Sequence, residues 1–153
     1  GTVDKYIGDA VMAFWGAPEQ MEDHAARAIR AASQIQRLVL ADNQRRRRTG
    51  EPLLAVRIGV HTGPVVVGNI GSRNRINYTI VGDAVNIAAR IDSIAKAIGT
   101  DEDCIVLVSG DACAHAGALQ DTSIALRSLG EKEIRGREGT VELFRLDAQL
   151  TDE

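Results

Sequence analysis

The sequence predicts an α+β or mixed α/β fold around one sheet, because strand-like and helix-like segments alternate along its 153 residues. Three observations carry this prediction. Residues 53–61 alternate side chains with the period of two that is typical of a strand. Residues 22–46 repeat apolar side chains at helical spacing, which predicts one long amphipathic helix. Residues 105–108 are all apolar, which predicts a short strand buried on both faces.

Short segments bounded by glycine or polar turn residues make up most of the remaining sequence. Strands are predicted on either side of Ile7-Gly8-Asp9 within 3–15, and at 65–70, 78–81, 125–129, 131–134 and 141–146. A polar turn is predicted over 71–77. Two further helices are predicted, over 84–98 and 109–116, and Asp83 is the candidate N-cap of the first.

The composition is that of one globular domain, with 44% hydrophobic and 25% charged residues. The net charge of -3 argues against a basic nucleic-acid-binding protein. No apolar run has the length of a membrane span, and no signal-peptide pattern opens the sequence. Cys104 and Cys113 match neither a metal site nor a disulfide framework, so we expect reduced thiols in a cytosolic setting.

Five polar residues are candidates for chemistry. Asn86 and Arg90, four residues apart on a predicted helix, form a plausible anion-facing pair. Lys5, Asp9 and Thr79 each have a plain structural interpretation. These are a solvent-facing charge on a strand, a turn residue and a β-branched strand residue. Taken singly, every one of the five favours its structural interpretation.

Taken together, three segments change that interpretation. "DKYIGDAVMAF", "RIGVHTGPVVVGNIG" and "YTIVGDAVNIAARI", in this order and spacing, resemble the class III nucleotidyl cyclases, the catalytic domains of adenylyl and guanylyl cyclases. The resemblance implies an α+β, ferredoxin-like sheet of the βαββαβ type with helices packed on it. It covers nearly the whole chain, which predicts a catalytic domain over 1–147 followed by a tail over 148–153.

The resemblance also implies an activity. These enzymes convert a nucleoside triphosphate to a 3',5'-cyclic monophosphate and pyrophosphate, through attack of the ribose 3'-hydroxyl on the α-phosphate. Two divalent ions per active site, Mg²⁺ or Mn²⁺, assist the attack. Asp9 matches one of two metal-binding aspartates, Asn86 the residue that orients the ribose, and Arg90 the residue that stabilises charge on the α-phosphoryl group. Arg137 falls where the family usually has a lysine that contacts the terminal phosphates.

Lys5 and Thr79 match the pair that selects the base. Adenine presents an acceptor at N1 and a donor at N6, which an ammonium and a hydroxyl can satisfy. Guanine presents the reverse pattern and would favour a carboxylate in place of Lys5. The resemblance therefore favours ATP and an adenylate cyclase, with a guanylate cyclase as the alternative. Because a threonine hydroxyl donates as well as accepts, Thr79 enforces this choice less strictly than an aspartate would.

One departure bears on the activity. The family's first metal aspartate lies in a Phe-x-Asp-Ile-x-Gly-Phe-Thr motif, and this motif, with the N-terminal strand and helices around it, has no counterpart here. We therefore expect a piece of a longer cyclase that is inactive by itself. The second possibility is an inactive cyclase-like module that binds nucleotide or dimerises.

Family architecture implies a homodimer that pairs head to tail and shares each active site across its interface. Lys5 and Asp9 would then serve different active sites. The resemblance further implies a cytoplasmic domain, joined in the full-length protein to regulatory domains and in some members to a membrane anchor.

Overall fold

The computed structural model describes residues 1–119, 121–136 and 138–148. It confirms the α+β class. The elements, in chain order, are β1 (Thr2–Ile7), β2 (Ala10–Phe14), α1 (His24–Thr49), β3 (Val56–Val60), β4 (Val66–Ser72), β5 (Arg75–Val81), α2 (Asp83–Ile98), β6 (Cys104–Ser109), α3 (Gly110–Ala116), β7 (Ile124–Glu133) and β8 (Thr140–Ala148). None of the described helices is long and apolar enough to cross a membrane. Of the predicted tail, Ala148 ends β8, and residues 149–153 lie outside the described residues.

A four-stranded sheet in the order β3-β6-β8-β7 forms the middle layer. Its central strand β6 pairs with β3 in parallel and with β8 in antiparallel, and all six residues of β6 are buried, as the apolar run predicts. Alternate residues of β6 therefore face opposite sides. Val106 and Val108 pack with α1 and α3, whereas Ile105 and Leu107 pack with α2.

The other strands form two separate ribbons, β1 with β2 and β4 with β5. The sequence predicts one sheet, but among the described residues neither ribbon pairs with the four-stranded sheet. Side-chain alternation indicates where a strand lies and which face is buried, but it does not say which strand is its neighbour. Strand β3 likewise pairs on one side only within the described part of the chain, with β6.

Three local predictions are wrong. The turn predicted over 71–77 is much shorter, because the β4–β5 pairing continues to Ser72 opposite Arg75. The strands predicted at 125–129 and 131–134 are one strand, β7, in which Gly130 takes a φ of +75° at a register shift instead of ending the strand. Asp83 is the first residue of α2, whose N-cap is Gly82.

Helix α2 lies directly on β3 because Gly59 has no side chain. A Cβ placed at Gly59 would lie 2.5 Å from the carbonyl oxygen of Ala88 and 2.7 Å from the backbone nitrogen of Asp92. Both atoms belong to the helix backbone and cannot rotate away. The glycine therefore determines how closely α2, which carries Asn86 and Arg90, approaches the sheet.

The Gly59→Ala variant is expected to unfold at a lower urea concentration, with a loss of about 1–3 kcal/mol in the free energy of unfolding from overpacking. Gly68→Ala on β4 is the matched control, because nothing lies within 4 Å of a Cβ at that position and its φ is not positive. We expect it to change stability by less than about 1 kcal/mol. Equal urea midpoints for the two variants would show that the close approach at Gly59 is not needed.

Candidate active site

The β1–β2 hairpin presents Asp9 at its tip. Ile7 pairs with Ala10, so Gly8 and Asp9 are the two turn residues, and Gly8 takes the positive φ of +62° at the first of them. Glycine at this position is typical of the tight hairpin turns that match strand twist. The Asp9 side chain is consequently exposed at the end of the ribbon, where its carboxylate can reach a ligand.

A β-bulge lies at the other end of the same hairpin. Val3 pairs with Ala13 and Lys5 with Met12, which leaves Asp4 as the extra residue on β1. A bulge of this kind changes the direction of a side chain and is common beside active sites. Here the Asp4 side chain is only 2% exposed, whereas that of Lys5 is 48% exposed, and Lys5 Nζ lies 3.9 Å from Asp4 Oδ2.

Thr79 connects this bulge to the second ribbon. Its Oγ1 donates a hydrogen bond of 2.7 Å to Asp4 Oδ2, the same oxygen that lies near Lys5 Nζ. Thr79 is buried on β5, with 7% of its surface exposed. The structure thus brings the two predicted base-selecting residues, Lys5 and Thr79, to one place through a carboxylate between them.

Asn86 and Arg90 lie together on α2, as their spacing predicts. Asn86 is exposed and Arg90 is half-buried, with its guanidinium beside Gly136 in the loop between β7 and β8. Among the described residues Arg90 has no hydrogen-bond or ion-pair partner. A guanidinium without a partner carries five N–H donors that are available to a phosphate.

Asp9 lies near a different part of α2. Its negative charge contributes to raising the pKa of Lys96, although the main causes are the hydrogen bond and the charge of Asp92. Lys96 is ten residues beyond Asn86, which corresponds to roughly 15 Å along a helix axis. Within the described residues no hydrogen bond or ion pair joins Asp9 to Asn86 or Arg90. The charge of Asp9 therefore acts near the C-terminal end of α2, whereas Asn86 lies near its N-terminal end.

The segment after β3 has structural partners. His61 Nδ1 is 2.8 Å from the hydroxyl of Ser109, which also caps α3 by accepting from the backbone N–H of Ala112. His24 Nε2 is 3.0 Å from the hydroxyl of Thr62. Both histidines thereby hold this segment against the helices, close to Gly63, which faces Ala84 at the start of α2.

A comparison with protein families decides the identity. Residues 4–148 match the family model described as the adenylate and guanylate cyclase catalytic domain. The chain belongs to this family. The resemblance to class III nucleotidyl cyclases is confirmed, and the described fold is that of a cyclase domain.

Individual relatives agree with this assignment. The cyclase domain is 35% identical over 144 residues to "Adenylate cyclase 1" of Rhizobium meliloti, covering 94% of this chain and 20% of that protein. It is similar to the crystal structure of the adenylyl cyclase CyaB from P. aeruginosa, with a TM-score of 0.80 and 29% identity over 100% of this chain and 74% of that one. It is also similar to the guanylyl cyclase Cya2, with a TM-score of 0.77 and 28% identity over 95% of this chain and 69% of that one. The chain therefore spans a minor part of the first curated relative, and its fold matches cyclases that are named for different bases.

The donor chemistry of the cyclase domain fits a hard divalent cation at Asp9. Mg²⁺ in nucleotide sites is usually held by one or two carboxylates, substrate phosphates and water. Asp9 supplies one exposed carboxylate, and no group of three or more potential metal-ligating side chains occurs in the described ranges. Asp9 fits one part of such a site, and the rest must come from the substrate, from water or from further protein residues.

Two residues differ from the others in how the sequence prediction compares with the structure. Arg137 lies outside the described residues, and its proposed contact with the terminal phosphates stays a prediction. Asp4 was missed, because two adjacent residues on a regular strand point to opposite faces and only the bulge aims both at one place. The sequence shows only an aspartate directly before a candidate site lysine, and the burial of that aspartate is visible only in the structure.

The two cysteines of the cyclase domain are not suited to nucleophilic chemistry. Burial raises the pKa of both the Cys104 and the Cys113 thiol to about 11. Little thiolate is then present at neutral pH, and the thiolate is the reactive form of cysteine. This favours a structural role over a catalytic one for both residues.

Proposed function

We propose that this domain is the catalytic domain of an adenylate cyclase that converts ATP to 3',5'-cyclic AMP and pyrophosphate. The observation that carries the proposal is the convergence of Lys5 and Thr79 on one Asp4 oxygen. These two side chains come from different ribbons, and together they offer the donor and the acceptor that adenine N1 and N6 require. The 35% identity to a protein named "Adenylate cyclase 1" supports the same choice.

The proposed reaction forms a bond between the ribose 3'-oxygen and the α-phosphorus and breaks the bond from that phosphorus to the bridging oxygen. The 3'-hydroxyl proton passes to solvent water, and pyrophosphate is released with the bridging oxygen. Asn86 orients the ribose, Arg90 stabilises the negative charge that develops on the α-phosphoryl oxygens, and Arg137 contacts the terminal phosphates. Asp9 would hold a Mg²⁺ or Mn²⁺ ion, which supplies charge neutralisation and a more acidic 3'-hydroxyl when bound.

We propose further that two copies share each active site. Both ribbons expose large apolar side chains, which is unusual for a surface that stays in water. The most exposed are Val3, Tyr6, Ile7, Val11, Val66 and Ile76. The electrostatic effect of Asp9 on Lys96, at the other end of α2 from Asn86, also supports a shared site, because a partner copy would bring a metal ligand to Asn86 and Arg90. The domain is proposed to extend over 1–147 and to work within a longer, cytoplasmic or membrane-anchored protein that carries regulatory domains.

Replacement of Lys5 by glutamate is expected to reduce the preference for ATP over GTP. The carboxylate accepts from guanine N1 and repels adenine N1, so we expect a change of roughly 10- to 100-fold in the ratio of kcat/KM values, the cost of leaving one polar group of the bound base unpaired. The measurement is the rate of cyclic AMP and cyclic GMP formation by the longer protein and by its Lys5→Glu variant.

Lys132→Glu is the matched control, because Lys132 is exposed on β7 and the substitution changes the charge equally. It should leave the ratio unchanged. A wild-type protein that prefers GTP would show that this domain is a guanylate cyclase. A longer protein that forms neither cyclic nucleotide would support the inactive binding module instead.

A further inference from the structure

The buried carboxylate of Asp4 controls the direction of the Thr79 hydroxyl. Asp4 Oδ2 lies 2.7 Å from Thr79 Oγ1, and the Asp4 side chain is almost inaccessible to water. An ionised carboxylate has no proton to give and only accepts hydrogen bonds. The Thr79 hydroxyl must therefore be the donor, and its single proton is committed to Asp4.

This commitment changes what Thr79 can offer to a base. A free threonine hydroxyl can donate to guanine O6 or accept from adenine N6 by rotating its proton. Because the Thr79 hydroxyl proton is held by Asp4, Thr79 Oγ1 has only its lone pairs available to a bound base. Thr79 then becomes an acceptor and loses the ambiguity that a threonine would otherwise have at this position.

We propose that Asp4 is a positioning residue for base selection, which acts through Thr79 to make the site accept adenine N6 and reject guanine O6. The inference rests on the proposed function and deepens it, because it assigns the source of selectivity to a residue that does not itself contact the base. The bulge at Asp4 is the structural device, since a regular strand would place Asp4 and Lys5 on opposite faces.

The charge of Asp4 distinguishes this role from a purely structural one. A buried polar group needs a hydrogen-bond partner, and an asparagine at this position could also pair with Thr79. An asparagine, however, can present its amide N–H₂ to Thr79 Oγ1 and release the hydroxyl proton. Only the carboxylate fixes the direction of the hydrogen bond, and Lys5 at 3.9 Å from the same oxygen supplies the balancing positive charge.

The Asp4→Asn variant of the longer protein tests the proposal. We expect the selectivity for ATP over GTP to fall about tenfold, the value of one hydrogen bond whose direction is no longer imposed. Selectivity is measured as the ratio of kcat/KM values and, independently of turnover, as the ratio of Kd values from displacement of a fluorescent ATP analogue by ATP and by GTP. Asp4→Ser, which is also neutral and is smaller, is measured in both assays. If one of the two variants fails to fold, the other still tests the proposal.

Three further variants define the result. In a Thr79→Val background, Asp4→Asn should change the ratio no further, because Asp4 acts through the hydroxyl that valine lacks. Thr79→Ser retains the hydroxyl and should retain the ratio. Asp23→Asn removes an exposed carboxylate that pairs with Arg27 on α1 and should leave both nucleotides unaffected.

Two outcomes would overturn the proposed role of Asp4 without contradicting the proposed function. One is an ATP-selective wild type whose folded Asp4→Asn and Asp4→Ser variants keep the same ratio in both assays. The other is an equal loss for ATP and GTP, which would assign Asp4 a structural role. A wild-type protein that prefers GTP, in turnover or in displacement, would instead contradict the proposed function itself.

Discussion

Replacement of Arg90 by alanine is expected to lower kcat for cyclic AMP formation by about 100- to 1000-fold, the usual effect of removing one donor that stabilises transition-state charge. The KM for ATP should change much less, because the charge that Arg90 meets develops mainly during the reaction. The structural reason is that the Arg90 guanidinium is uncommitted within the described residues and lies beside Gly136, whose lack of a side chain leaves room for it.

Arg127→Ala is the matched control for this prediction. Arg127 is exposed on β7, 3.8 Å from Asp147, and should keep nearly full activity when truncated. Arg90→Lys retains the charge without the planar fork and is expected to recover only part of the lost kcat. If Arg90→Ala instead raised KM and left kcat unchanged, Arg90 would be a ground-state binding residue and its proposed role in the transition state would be wrong.

The sequence predicts some elements of this fold well for physical reasons. Strand β6 is recognisable because residues 105–108 are all apolar, and α2 because Ile87, Ile91 and Ile94 recur at helical spacing on the side that packs in the core. The bulge at Asp4 and the register shift at Gly130 are not recognisable, because each depends on pairing with another strand, and pairing is a tertiary property. The division into one four-stranded sheet and two ribbons is hidden for the same reason.

The candidate site shows the same division between local and tertiary information. The helical spacing of Asn86 and Arg90 predicts that they lie together, and the structure agrees. The approach of Lys5 to Thr79 joins two ribbons that are far apart in sequence, so only the family resemblance could suggest it. Asp4 connects the two residues, and this position could not be predicted because it depends on the bulge in β1.

Replacement of Asp9 by asparagine is expected to lower Mg²⁺-dependent cyclic AMP formation by the longer protein at least about 100-fold, because loss of a ligand should exceed the 10- to 100-fold effect of outer-shell changes. The amide keeps the size of the side chain but removes the charge that a hard cation requires. The measurement is activity against Mg²⁺ and Mn²⁺ concentration, together with the Kd of Mn²⁺ for the nucleotide-bound protein. Asp101→Asn, at an exposed residue between α2 and β6, is the control.

The Asp9→Asn and Arg90→Ala variants together test whether active sites are shared between chains. In a dimer of one Asp9→Asn chain and one Arg90→Ala chain, shared sites would leave one site without either side chain and one site with both intact. Equal mixing should therefore restore about a quarter of the wild-type activity, since half of the dimers are mixed and one site in each of these is complete. A site contained within one chain would give no recovery, because every chain in the mixture lacks one of the two groups. Recovery would also agree with the electrostatic effect of Asp9 on Lys96, at the C-terminal end of α2, since Asp9 and Arg90 would serve different active sites of the dimer.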